Sequence, residues 1–210
     1  MPKELPLSNV VSMGETDPIE VLGLDLGVEQ KAKLLDFSKA LLQWNKRTNL
    51  ISKSDERRVF SRHIVDSLSA TSFLVGNSIV DIGSGAGLPG LPLAIASPHK
   101  KFTLYERMKK RAHFMQFVIA NLGIDNAQVI EAPFEEIVSK GESFNCVVSR
   151  GVRSAEALWP LVERAITKTG RLIVYASTQS SEEELTNKSA GKIHEGGLNI
   201  SSSAVEIPGL

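Results

Sequence analysis

The sequence predicts an α/β fold, a doubly wound and mostly parallel sheet with an N-terminal helical extension. Three observations carry this. Short β-rich runs alternate with helical stretches from residue 78 to residue 177, as right-handed βαβ crossovers require. Runs such as Cys146-Val147-Val148 are apolar on successive residues, which suits a sheet covered on both faces. A glycine-dense loop follows the first run, where open sheets of this kind bind ligands.

Taken in order, residues 1–27 are punctuated by Pro2, Pro6, Gly14, Pro18, Gly23 and Gly27 and read as a loosely ordered segment. Residues 28–75 read as a helical extension packed on the core. Its first helix, Val28 to Arg47, sets Leu34, Leu35, Leu41, Leu42 and Trp44 near one face. A second helix is expected from Ser54, a suitable N-cap with Asp55 and Glu56 in the first turn, carrying Val59, Phe60, Ile64, Leu68 and Phe73 inward. Residues 76–210 then form the α/β unit. Strands are expected at 78–83, 101–106, 127–132, 144–150 and 171–177. The helices between them are Gly90-Leu91-Pro92-Leu93-Ala94-Ile95-Ala96-Ser97, Lys109 to Gly123, Phe134 to Lys140 and Ser154 to Thr167. A further strand is expected at 202–207.

Bulk properties exclude several classes. No apolar run approaches the ~18 residues of a membrane span, and no basic region with an apolar stretch opens the chain, so neither a membrane nor a secretory route is expected. The single cysteine, Cys146, cannot build a disulfide framework and reads as a buried strand residue in a reducing cytoplasm. His63 and His113 lack metal-ligand neighbours, so no metal site is indicated, and His63 reads as a packed or capping residue. Trp44 and Trp159 read as core. Lys plus Arg and Asp plus Glu balance at 24 each, so bulk charge points to no polyanionic partner. Its distribution is uneven: Lys46, Arg47 and Arg62 belong to a basic stretch between Lys31 and His63, and Arg107, Lys109, Lys110 and Arg111 form a second cluster. Such clusters are either a solvated helix face or a patch that meets phosphates.

The loop Val80-Asp81-Ile82-Gly83-Ser84-Gly85-Ala86-Gly87-Leu88-Pro89-Gly90 fits two patterns. Read from Gly85 it is G-x-G-x-x-G, a dinucleotide fingerprint; read from Asp81 it is an acid followed by G-x-G-x-G, which favours S-adenosylmethionine. The first strand ends at Gly83, so the second frame places its first glycine at the turn. Asp81 also favours it, because a carboxylate repels a pyrophosphate but suits a cofactor bearing ammonium and sulfonium groups. Glu106 closes the second strand 21 positions after Gly85, where a carboxylate accepts both ribose hydroxyls.

Four segments together resemble a known family, the bacterial small-subunit rRNA guanine-N7 methyltransferases, also called glucose-inhibited division protein B. They are Trp44-Asn45-Lys46 with Asn49-Leu50, Arg62-His63-Ile64-Val65-Asp66-Ser67-Leu68, Asp81 to Gly90, and Ser149-Arg150. The resemblance spans about residues 28 to 177. It implies a class I S-adenosylmethionine-dependent methyltransferase fold and a cofactor site with Asp81, Gly83, Gly85, Gly87, Leu88, Glu106, Phe134, Glu135 and Arg150. It places Asn49 and Arg150 near cofactor and target base as candidate catalytic residues; for Asn49 a helix C-terminal cap is the equal alternative. Lys46, Arg47, Arg62, Lys109, Lys110 and Arg111 are the candidate RNA contacts. The implied substrate is 16S ribosomal RNA or the 30S subunit, methylated on guanine N7 in a loop near the decoding region by a cytoplasmic monomer with no stable protein partner. The alternatives are another acceptor, a nicotinamide oxidoreductase, or a non-catalytic RNA-binding relative. Three departures stand out: Pro133 where the family often has Arg, Tyr175-Ala176-Ser177 where it usually has Lys-Gly, and a final strand expected after Pro208-Gly209 that the sequence does not continue into.

Overall fold

In the computed structural model, which describes residues 18–176, 192–195 and 203–208, five parallel strands form the centre of the sheet. They are β1 (Ser78–Ile82), β2 (Lys101–Tyr105), β3 (Ala127–Ile130), β4 (Phe144–Arg150) and β5 (Ile166–Ala176), paired in the order β3-β2-β1-β4-β5. The direction of build-up reverses between β1 and β4, which makes the carboxyl ends of these two strands the topological switch point. Beyond β5, β7 (Ser203–Pro208) adds in parallel and β6 (Lys192–Glu195) pairs with it antiparallel. β7 takes up the further strand expected at 202–207; β6 had no signal in the sequence. The expected end of the sheet after Pro208-Gly209 and the loose start over residues 1–17 lie outside the described residues.

Helices cover both faces. On one lie α2 (Val28–Thr48), α4 (Gly90–Ala96) and α5 (Lys109–Leu122), sharing a core with Ile79, Cys146, Val148 and Ile173. On the other, α7 (Ala155–Val162) covers Val80, Ile82, Val147 and Leu172, and the short α6 (Glu136–Ser139) sends Ile137 into the same cluster. The extension and the sheet thus have one continuous core. Phe114 of α5 joins them: it is fully buried and its ring lies 6.3 Å from Phe37 and 5.4 Å from Trp44. Burying one such side chain contributes roughly 1.5–3 kcal/mol.

Several boundaries differ from the sequence reading, each for a physical reason. Residues 18–27 contain the short helix α1 (Pro18–Val21) with Ile19 2% exposed, so this part of the segment read as loose is docked. The inward stripe of α2 is Leu34, Phe37, Ser38, Leu41 and Asn45, the true 3.6-residue line, while Leu35 turns outward. The next helix begins earlier and is not regular. Ser52 caps it, its Oγ accepting from the Asp55 N–H at 3.3 Å; a 3₁₀ segment (Lys53–Arg58) passes into a π-helical turn (Val59–Val65), and only then into α3 (Asp66–Leu68). The wider turn sets Val59 and Ile64, five residues apart, into the same core. Finally, α7 ends at Val162, two residues after Pro160, whose missing N–H weakens its last turn. β5 starts at Ile166 and passes through an irregularity between the pairs Phe144↔Ile166 and Cys146↔Arg171.

Candidate active site

At the switch point the chain leaves β1 through a turn that only glycine makes comfortably. Gly83, Gly85 and Gly87 have φ of 67°, 57° and 79°, in the left-handed region. Gly83 is also sterically required: a Cβ there would stand 2.6 Å from Cγ2 of Val152, in the loop after β4. The turn is tied to its surroundings by backbone bonds, the Ser84 N–H donating to Tyr105 O at 3.0 Å and the Gly87 N–H to Ser84 O at 2.8 Å. It then enters α4 through Leu88-Pro89-Gly90, with a cis Leu88–Pro89 peptide.

Asp81 lies under this turn. It is fully buried, and its Oδ2 accepts from the Gly90 N–H at 2.9 Å. A side chain at Gly90 would leave no room, since a Cβ would stand 2.6 Å from that oxygen. Asp81 therefore staples the start of α4 to the end of β1. It does not line the crevice, where the sequence reading had given it the cofactor's cationic groups. Oδ1 has no hydrogen-bond partner among the described residues. Burial pushes this carboxyl up to about 7, against the opposing pull of the Gly90 N–H, Ser84 and the Arg150 charge.

Glu106 closes β2 on the other side of the turn, 4% exposed. Its Oε2 accepts from the Gly85 N–H at 2.9 Å and its Oε1 from the Met108 N–H at 2.8 Å. Each oxygen keeps a further lone pair for a ligand hydroxyl. The crevice beside it has a volume of about 290 Å³ and is bounded by Gly83, Glu106, Arg111, Phe134, Glu135 and Arg153, among others. Gly83, Glu106, Phe134 and Glu135 are thus brought together as the sequence reading expected. Gly85 and Gly87 shape the turn without bounding the crevice, and Leu88 is buried in the core beneath it. A larger cleft of about 970 Å³ opens near the amino ends of β2 and β3, and neither the glycine turn nor Glu106 borders it. Volume alone would select it; the convergent polar groups select the smaller crevice.

Arg150 ends β4 but turns toward the extension. Its Nη1 donates to Asp66 Oδ2 at 3.1 Å, to Ser67 Oγ at 3.3 Å and to His63 O at 3.4 Å. Tyr175, paired with Arg150 across β5, donates its hydroxyl to Ser67 O at 2.5 Å. The segment Arg62 to Leu68 is thereby fastened to the strand ends. His63 sits within this set, held toward its neutral form by burial and then by the nearby Arg150 charge; Asp55, 3.6 Å from its Nε2, opposes this. Asn49 is the C-cap of α2 at φ 48°, ψ 54°, its N–H donating to Asn45 O, so the capping geometry is present and the side chain is exposed. The buried polar residue of that motif is Asn45, whose Nδ2 donates to Glu56 at 2.8 Å and whose Oδ1 accepts from the Ile51 N–H at 2.9 Å.

The basic residues fall into a pattern. Lys33 Nζ reaches the carbonyl of Gly123 beyond the end of α5, while Trp44 lies against Phe114 and Phe117. The two helices are antiparallel, so the last turn of α2, with Lys46 and Arg47, lies toward the first turn of α5, with Lys109 and Lys110. All four are exposed. Arg62 pairs with Asp55 at 3.2 Å. Arg111, grouped with the RNA contacts on sequence, borders the crevice. Sequence reasoning missed Asp66 and Ser67 as partners of Arg150 and Tyr175 as a donor to Ser67, although it had quoted all three. It also missed Arg153, whose only signal was its place just after Ser149-Arg150.

The family model described as GidB, rRNA small subunit methyltransferase G, matches residues 30–205. The chain is 37% identical over 170 residues to ribosomal RNA small subunit methyltransferase G of Shewanella piezotolerans, covering 81% of each chain. It is 34% identical over 189 residues to the protein of that name from Methylococcus capsulatus, covering 90% of this chain and 88% of the relative. Among solved structures, a methyltransferase from Geobacter sulfurreducens superposes with a TM-score of 0.51 at 13% identity, covering 87% of this chain and 84% of that one. That likeness shows the fold alone.

Proposed function

Because the chain belongs to the rRNA small subunit methyltransferase G family, we propose that it methylates N7 of a guanine in a loop of 16S ribosomal RNA near the decoding region, with S-adenosylmethionine as donor. The observation that carries the reading is Glu106. Its carboxylate caps the Gly85 amide at 2.9 Å and stands in the crevice wall with the half-buried ring of Phe134. A carboxylate for ribose hydroxyls beside an apolar ring for an adenine fits an adenosine cofactor, and the crowded approach of Gly83 to Val152 brings the glycine turn against the loop after β4.

When bound, S-adenosylmethionine supplies an electrophilic methyl group on a sulfonium. Guanine N7 has a lone pair and no proton, so the chain needs no general base for this acceptor. What the residues must supply is alignment, a term worth about 7–11 kcal/mol in well-oriented reactions. Asp81 fixes the turn to α4, and Glu106 fixes it to β2. Arg150 has spent Nη1 on Asp66, Ser67 and His63; we assign its remaining guanidinium donors to guanine O6, an edge that arginine matches. Asn49, exposed at the end of the basic helix, is assigned to the target base or its neighbour. A guanine in an A-form helix hides N7 in a narrow groove, so the target is unstacked when it reacts. No helix among the described residues is long and apolar enough to cross a membrane.

The test is transfer of labelled methyl from S-adenosylmethionine to undermethylated 16S RNA, supplied naked and as 30S subunits. Label in either supports the proposal and identifies the preferred form. No label in any RNA under both conditions rejects it.

A further inference from the structure

The crevice has more arginine than its cofactor needs. Arg107, Arg111 and Arg153 border it, against Glu106 and Glu135. Glu106 already accepts two backbone N–H bonds. Among the described residues none of the three arginines has a carboxylate within ion-pair distance. S-adenosylmethionine carries one carboxylate and two cationic groups and is a net cation, and three guanidinium groups against two carboxylates leave the crevice around it net positive; a second, anionic ligand offsets this.

Their positions divide the work. Arg111, in the first turn of α5, reaches over the glycine turn: its Nη1 lies 4.0 Å from where a Cβ on Gly85 would stand. Arg107 and Arg153 are exposed and belong to different loops, after β2 and after β4. Since β2 and β4 are the two neighbours of β1 in the sheet, these loops flank the glycine turn on opposite sides. A nucleotide within an RNA strand carries a phosphodiester on each side of its nucleoside. We propose that Arg107 and Arg153 clamp the two phosphates flanking the target guanosine across the crevice mouth, while Arg111 holds the cofactor's carboxylate. The clamp holds the strand equally before and during transfer, so it contributes to RNA binding rather than to the chemical step. This rests on the RNA-methyltransferase reading, but its binding signature is separate from turnover.

The experiment compares Arg107→Ala, Arg153→Ala, the double variant, Arg153→Lys and Arg111→Ala, each checked for native circular dichroism. Cofactor affinity is read by calorimetry, RNA affinity by filter binding from low to high KCl, and KM and kcat by label transfer. Arg107→Ala and Arg153→Ala are each expected to raise the KM for RNA about 10-fold with kcat within about 3-fold, and to leave cofactor affinity unchanged. Each lost phosphate contact flattens the slope of log K against log salt by about 0.7–0.9, and the double variant by about twice that. Arg153→Lys restores the slope, since charge is retained. Arg111→Ala weakens the cofactor about 10-fold and leaves the RNA salt slope alone. An unchanged slope in the double variant, or a loss of cofactor affinity in Arg107→Ala or Arg153→Ala, overturns the clamp. If the wild-type chain binds RNA but transfers no methyl, the activity reading fails while the salt slopes still decide the clamp; a wild type that binds no RNA overturns both.

Discussion

Asp81→Asn isolates what the buried carboxylate does. In the folded chain this carboxyl sits near 7 because it is fully buried; in the unfolded chain it returns to the ordinary 3.8. Between these values the folded state holds a proton that the unfolded state has released. Its contribution is therefore fully present below pH 3.8 and is lost as pH rises through about 7. At about 1.4 kcal/mol for each unit of separation, the loss approaches about 4 kcal/mol by pH 8. Asparagine keeps an oxygen for the Gly90 N–H, 2.9 Å away in the native pair, and carries no charge. The stability of Asp81→Asn relative to wild type should rise by about 2–4 kcal/mol between pH 5 and pH 8. His63 works in the opposite sense: its lowered folded value gives stability present above 6.5 and lost as pH falls. It is common to both proteins and cancels in the difference. Urea melts followed by circular dichroism at four pH values measure it. Asp81→Ala, which leaves the Gly90 N–H buried and unpaired, should cost a further ~1–3 kcal/mol relative to Asp81→Asn at pH 8. A wild-type-to-Asn difference that does not change with pH would show that burial does not hold a proton on Asp81.

Other consequences are as direct. Asn49→Gly keeps the left-handed cap and should fold at least as well as wild type while losing about 10-fold or more in kcat/KM on RNA; full activity would reduce Asn49 to its capping role. An Arg150→Ala and Asp66→Ala double-mutant cycle should give a coupling of about 1–3 kcal/mol in urea melts, because both side chains are largely shielded, at 18% and 10% exposure. Coupling near zero would show that the extension is not held through this pair.

The sheet was legible because its signals are local and repeated: β1 to β4 were placed by apolar runs, and the glycine turn by its spacing. Glu106 was legible because a carboxylate at the end of β2 faces the turn after β1 in any sheet of this order. Arg150 was not. Strand alternation assigns its side chain to a face, but which groups meet it there depends on how Arg62 to Leu68 packs, and the π-helical turn that presents Asp66 has no signature in composition. The bond from Asp81 to the start of α4 was not legible for a related reason. The carboxylate's chemistry suits a cationic ligand, yet a strand-end side chain on the α4 side meets the Gly90 amide first. The start of β5 was missed because Pro160 cut α7 short while the following residues still read as helical. Arg153 sits in a loop, where neither periodicity nor propensity says which way a side chain points.

The identity of the methylated nucleoside separates transfer by alignment from transfer that needs a base. Labelled 16S RNA is digested to nucleosides and separated against standards. An enzyme whose site supplies alignment without proton removal should put the label in 7-methylguanosine, at one position in a loop. Label in N1- or N2-methylguanosine, in a C5- or N4-methylated cytidine, or in a methylated ribose would contradict it, because those acceptors must lose a proton that alignment alone does not remove.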